Sequence, residues 1–141
     1  MINPIQFVAT TNSLRSLKNE SKVISISDSA LDLIVYDHAQ IKVPSQGLVR
    51  ILNVKDIVYV KAESNYSTLY TTDGRSHLTS RTLKHWESLI NSSYFIRIHK
   101  SFMANKFHVT SISIENSTLT TTTDAELPLA RSKKIKVLSL F

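Results

Sequence analysis

From Gln40 onwards the chain alternates short apolar runs with polar breaks, at intervals that suit β-strands. Ile41-Lys-Val43 ends at Pro44, and Gln46-Gly47 turns the chain into Leu48-Val-Arg-Ile-Leu52. Asn53-Val-Lys-Asp56 interrupts that run and Ile57-Val-Tyr-Val60 resumes it. Residues 62–65 read as a loop or bulge ahead of a strand over 66–72. Asp73-Gly74 then predicts a type I′ hairpin turn into residues 75–79, because both residues tolerate positive φ. Next the period changes. Leu83, Trp86, Leu89 and Ile90 recur at helical spacing, with Thr82 placed as the N-cap and Trp86 expected in the core. Strands over 109–114, 117–122 and 125–128 predict a meander, with Pro128 at an edge because it has no N–H to donate. Residues 131–141 predict a basic helix with Ile135, Leu138 and Phe141 turned inward. No internal repeat is evident.

The first forty residues give a weaker pattern. Thr10 to Lys22 suits a short helix carrying Leu14 and Leu17, Val23 to Ile26 is strand-like, and the β-branched and aromatic content of Leu31 to Tyr36 predicts a strand. Residues 1–37 are therefore taken as an N-terminal extension and 38–141 as one domain.

The stretch Phe95-Ile-Arg-Ile-His-Lys-Ser-Phe-Met-Ala-Asn105 stands out, because it interleaves apolar residues with Arg97, His99 and Lys100 and no acid lies between Asn91 and Ile114. It predicts a strand packed on one side and turned towards something anionic on the other. Arg97 and His99 share one face, and Lys100 falls opposite unless the strand ends there in a turn. Asn105 is expected where a left-handed residue would be tolerated.

Composition narrows the classes. The 141 residues are 42% hydrophobic and 20% charged, the balance of a globular domain with its own core. The absence of cysteine excludes disulfides, thiol catalysis and cysteine-based zinc sites. No run of about 18 apolar residues exists to span a membrane, and the first residues lack a signal-peptide pattern, so the expected compartment is the cytoplasm. The net charge of +6 is uneven: residues 1–40 sum to −1 and residues 41–141 to +7. That asymmetry favours an anionic partner.

Catalysis is not expected. The five histidines are scattered, the acids do not cluster and no serine sits in a nucleophile elbow, so neither a cofactor nor a metal is expected. Three polar or basic clusters suit binding instead: Asn65, Tyr66 and Ser67; Arg97 to Ser101; and Arg131 with Lys133, Lys134 and Lys136. Arginine can fork onto guanine, while lysine neutralises phosphates.

Several of these segments, in this order, resemble the LytTR DNA-binding domain. They are Asp56-Ile-Val-Tyr-Val-Lys-Ala-Glu-Ser-Asn-Tyr66, the Asp73-Gly74 hairpin, Thr82-Leu83 opening a helix, the Phe95–Asn105 stretch and Leu127-Pro-Leu-Ala-Arg131. The resemblance runs from about Lys42 to Leu140. It implies a mainly β fold: an elongated domain of antiparallel strands in small stacked sheets with short helices. It also implies sequence-specific binding of double-stranded DNA, on paired direct repeats and with room for a homodimer on DNA, in the regulation of bacterial transcription. The implied contacts are Asn65, Tyr66 and Ser67, Lys100 with His99 in support, and Arg131. Lys133 and Lys134 join them from charge alone, and Asn105 is carried over as structural. Only about 40 residues precede the matching region, too few for the receiver domain that many members carry, so either a stand-alone regulator without one or a fragment of a longer protein is expected, with the initial Met1 favouring the former. The alternative is a protein–protein or anionic-surface module that uses the basic β face.

Overall fold

The computed structural model describes residues 27–90 and 92–141. Helix α1 (Asp28–His38) leads into a hairpin, β1 (Gln40–Ser45) and β2 (Leu48–Asn53). Strands β3 (Ile57–Glu63), β4 (Tyr66–Thr71) and β5 (Ser76–Thr79) follow, then helix α2 (Leu83–Leu89) and the hairpin β6 (Phe95–His99) and β7 (Phe102–Asn105). Strands β8 (Val109–Ser113), β9 (Thr118–Thr121) and β10 (Glu126–Pro128) form the expected meander, and the short helix α3 (Lys134–Leu138) ends the described chain. The strands make three antiparallel sheets: β1-β2, β5-β4-β3-β7-β6 and β10-β9-β8. Pro128 lies on the edge strand, as its missing N–H requires.

The β6–β7 hairpin lies between two hydrophobic cores. Phe95 and Met103 face the first, with Val43 of β1, Ile57 and Val60 of β3, Leu69 of β4 and Trp86 of α2. Ile96, Ile98 and Ala104 face the second, with Leu119, Leu127, Leu129 and Val137. The expectation of a strand with one face open to an anion is thus overturned. Both faces are apolar, so the polar groups of the stretch leave only at its turn. Strand β6 does end at His99, and a bulge at Ile98 shifts the register from Arg97–Met103 to His99–Phe102.

Helix α1 corrects the strand expected over Leu31 to Tyr36. Leu31, Val35 and Ala39 recur every four residues and are all buried, while the Ser27 hydroxyl caps the helix by accepting from Ala30 N at 3.2 Å. Asn105 is wholly buried and joins this helix to the sheets. Its Nδ2 donates to the Tyr36 hydroxyl at 2.8 Å and to Ile57 O at 3.0 Å, and its Oδ1 accepts from Phe107 N at 3.0 Å. Its φ of −75° is extended, not left-handed, so its structural role comes from its amide. The helix expected over 10–22 and the strand over 23–26 fall outside the described residues.

Two further expectations change. The loop after β4 is a three-residue turn, in which only Gly74 has positive φ and Asp73 Oδ1 accepts from Arg75 N at 3.0 Å; it is not type I′. The C-terminal segment begins with a 3₁₀ turn at Arg131–Lys133, whose tighter winding rotates the helix that follows. Val137 becomes the inward anchor, while Ile135 is 85% exposed and Phe141 62%.

An internal structural repeat emerges as well. A 3₁₀ turn (Val54–Asp56, then Lys106–His108) precedes a strand bulged after its first residue, and the two strands that follow it (β4 and β5, then β9 and β10) join through a three-residue loop. Thr72 N donates to Asp56 O at 2.9 Å, and Thr122 N donates to His108 O at 2.8 Å. The sequence echo is Ser67-Thr-Leu69 against Ser117-Thr-Leu119 and Thr71-Thr72 against Thr121-Thr122.

Two predictions test this packing. Leu31→Ala should cost about 2–5 kcal/mol by the cavity it leaves, within a single cooperative denaturant transition. An unchanged midpoint would separate α1 from the folded unit. Burial, with the charge of Arg50 beside His77 and Arg81 beside His85, holds both histidines below their ordinary pKa. Their neutral forms are favoured in the fold, so below about pH 6.5 the unfolded chain binds more protons. The melting temperature should therefore hold above neutrality and fall as pH drops below about 6.5, until the folded imidazoles also titrate. The combined substitutions His77→Gln and His85→Gln should flatten that decline.

Candidate nucleic-acid interface

The antiparallel pairing gathers several loops at one end of the five-stranded sheet. Lys61 of β3 pairs with Phe102 of β7, and Ala62 N donates to Ser101 O at 2.8 Å. The Ser64-Asn65 turn and the Lys100-Ser101 turn therefore leave side by side. Ser67 of β4 pairs with Thr79 of β5, so Ser80, Arg81 and Thr82 leave from the same end. The closing segment joins them, because Ala130 N donates to Ile98 O at 2.8 Å and holds Arg131 beside the end of β6. His99, Lys100, Ser132 and Lys133 then line one surface hollow with Arg97 and Glu87.

The expected contact residues divide into two groups. Asn65, Tyr66, Lys100 and Arg131 are exposed, and among the described residues none of the ion pairs involves Lys100, Arg131 or Lys133. Ser64 (φ 58°) supplies the positive φ that lets Asn65 project from a two-residue turn. Ser67 is different. It is wholly buried, its hydroxyl donates to Arg81 O at 2.7 Å and it accepts from Trp86 Nε1 at 2.8 Å. The expectation of a DNA contact at Ser67 is corrected accordingly: its polar capacity is spent inside the protein. His99 is half-buried, and its Nδ1 accepts from Ser101 N at 3.1 Å. The ring thus braces the turn that carries Lys100. Lys134 Nζ donates to Ile114 O at 2.9 Å and so ties α3 to the end of β8.

Arg97 does more than charge alone implies. Its Nε donates to His99 O at 2.8 Å, its Nη2 to Lys100 O at 2.5 Å and its Nη1 to Glu87 Oε1 at 3.2 Å. Three donors of one rigid fork thus fix the carbonyls of the Lys100 turn against helix α2. Sequence reading grouped Arg97 with the basic cluster but gave no sign that it faces its own turn. The signal lies in the bulge at Ile98, visible only once β6 is paired. The acid in the hollow, Glu87, is held by this arginine, so Lys100 and Lys133 have a positive neighbour set with its negative member engaged.

Comparison with known proteins identifies the family and the fold. Residues 47–141 match the family model described as the LytTr DNA-binding domain. The sensory transduction protein LytR of Staphylococcus epidermidis is 31% identical over 98 residues, covering 67% of this chain and 38% of that protein. The heme-containing CO-sensing transcriptional regulator RcoM 1 of Paraburkholderia xenovorans is 29% identical over 105 residues, covering 72% of this chain and 39% of that protein. The chain thus spans about two fifths of the length of these relatives. A solved LytTr DNA-binding domain from Bacillus cereus superposes with a TM-score of 0.63 at 19% identity, over 72% of this chain and 95% of that one. This chain belongs to the LytTR family of DNA-binding domains.

Proposed function

We propose that the chain binds double-stranded DNA sequence-specifically and regulates transcription from the site it binds. The observation that carries this reading is the convergence of the Asn65–Tyr66 turn, the Lys100 turn and Arg131 at one end of the sheet, all exposed and linked by backbone hydrogen bonds. Lys100 and Arg131 are the principal contacts, Asn65 and Tyr66 assist, and His99, Arg97 and Ser67 hold the loops in place. Lys133 adds sequence-tolerant attraction to phosphates, with Lys136 beside it and Lys134 contributing charge from its tether. The site is a pair of direct repeats, occupied by two copies of the chain, and the work is done in the cytoplasm. The preorganised turns are what such readout needs, since a base-edge contact made by a loose loop would lose ordering entropy on binding.

Fluorescence anisotropy on a duplex selected from random DNA tests the reading. A selected duplex should bind at least about a thousandfold tighter than bulk DNA. Failure of selection, with only steeply salt-dependent binding, would reduce the site to a generic anion surface. On the selected duplex, Arg131→Ala should cost about 1–3 kcal/mol and blur one position of the site. Lys133→Ala should weaken selected and scrambled duplexes alike and lower the salt slope by about one. Identical effects from the two substitutions would overturn this division of roles. Arg97→Ala should speed amide hydrogen exchange at Ala62 and Ser101, whose turn it braces, and leave the β8–β10 sheet protected. Unchanged exchange at those amides would show that the turn stands without it.

A further inference from the structure

The Ser80–Thr82 segment leaves the same end of the sheet as the Asn65 and Lys100 turns, yet neither the charge clusters nor the family resemblance includes Arg81. Arg81 is exposed, and among the described residues its guanidinium takes part in none of the ion pairs. Its backbone, by contrast, is fixed at both polar groups. Arg81 N donates to Thr79 Oγ1 at 3.3 Å, and Arg81 O accepts from the buried Ser67 hydroxyl, which is itself locked by Trp86. A charged side chain on a pinned backbone, beside loops that meet DNA, is poised to take part. Lys84 follows in the first turn of α2 and is exposed as well, so the corner carries two cations.

Position decides what they meet. Arg81 follows β5, at the opposite edge of the sheet from β6 and the Arg131 segment. Four strand spacings separate these edges, about 19 Å in all. A major groove is only about 12 Å wide, so a row of that length crosses a sugar–phosphate backbone. The outermost cations then lie against phosphates, which position a protein without reading sequence.

We infer that Arg81, held by the Ser67–Trp86 pair and accompanied by Lys84, is a DNA-backbone anchor at the end of the interface opposite Arg131. This rests on the DNA-binding reading above. It also accounts for Ser67, whose hydroxyl acts on the interface through the Arg81 carbonyl and never touches the ligand.

The test is anisotropy of the full chain, as wild type, Arg81→Ala and Arg81→Lys, on the selected duplex and a scrambled one across a salt series. Arg81→Ala should weaken both duplexes by a similar factor, roughly tenfold, and lower the salt slope by about one, while Arg81→Lys keeps the slope. Unchanged affinity and slope in Arg81→Ala, with wild type still preferring the selected duplex, would overturn this inference alone. A loss confined to the selected duplex, with the slope intact, would overturn the phosphate assignment in favour of base contact. Absence of any preference in wild type would remove the DNA-binding reading and this inference with it. Matching far-ultraviolet circular dichroism spectra confirm that the variants fold.

Discussion

Burial of the β6–β7 hairpin on both faces is the constraint from which the rest of the molecule follows. A strand pair with Phe95 and Met103 in one core and Ile96, Ile98 and Ala104 in the other has no face left for solvent. Its polar side chains must either be satisfied internally or escape at the ends of the hairpin. At the closed end Lys100 escapes, and His99 and Arg97 are bonded to the turn they stand in. At the open end Asn105 stays inside, with its amide shared between the Tyr36 hydroxyl, Ile57 O and Phe107 N. An apolar replacement there would remove the partner of the buried Ile57 carbonyl and of the part-buried Phe107 amide, which is why a polar residue sits at the centre of the fold.

The same logic separates the groups that build the proposed interface from those that would use it. Ser67, His99 and Arg97 are polar residues beside its loops, and each directs its hydrogen bonds into the protein. Asn65, Tyr66, Lys100 and Arg131 carry their polar ends outwards on backbones that these residues and the sheet hold still. Rigidity is supplied by buried or half-buried donors and acceptors, and charge by exposed ones. Loops held in this way give up little conformational freedom when a ligand arrives, so more of each contact's energy remains for binding.

Much of this was legible in the chain. The strands from Gln40 onwards, the Thr82-capped helix with Trp86 inside and the terminal meander all follow from local periodicity and turn chemistry, and the loop residues Asn65 and Lys100 stand where the pattern breaks. What escaped depended on partners distant in sequence. Ser67 looks like any strand serine until Trp86, nineteen residues on, is seen donating to it. Helix α1 was hidden because Ile34, Val35 and Tyr36 favour strands locally, whereas the Leu31, Val35 and Ala39 stripe shows itself only as burial in the folded chain. The face of α3 was misjudged because a 3₁₀ turn precedes it, and the internal repeat because its two halves share few side chains.

That repeat shows how one local design serves two ends. Both copies enter through a 3₁₀ turn, bulge after the first strand residue and close in a three-residue loop with a left-handed last member, Gly74 or Asp124. Their opposite ends differ. In the first copy the Ser64-Asn65 turn is left exposed, its flanks held by β7 and by the Ser67–Arg81 bond. In the second copy the corresponding turn is tied back, with Ile114 O accepting from Lys134 Nζ and Ser117 O from Leu129 N. These ties draw the C-terminal segment against the sheet, and the chain between them passes Ile98 O, the point from which Arg131 projects. One hairpin therefore supplies a loop of the proposed interface. Its twin supplies the scaffold that sets Arg131 beside the Lys100 turn, a division of labour that requires the two turns to diverge while the bulged strands beneath them stay alike.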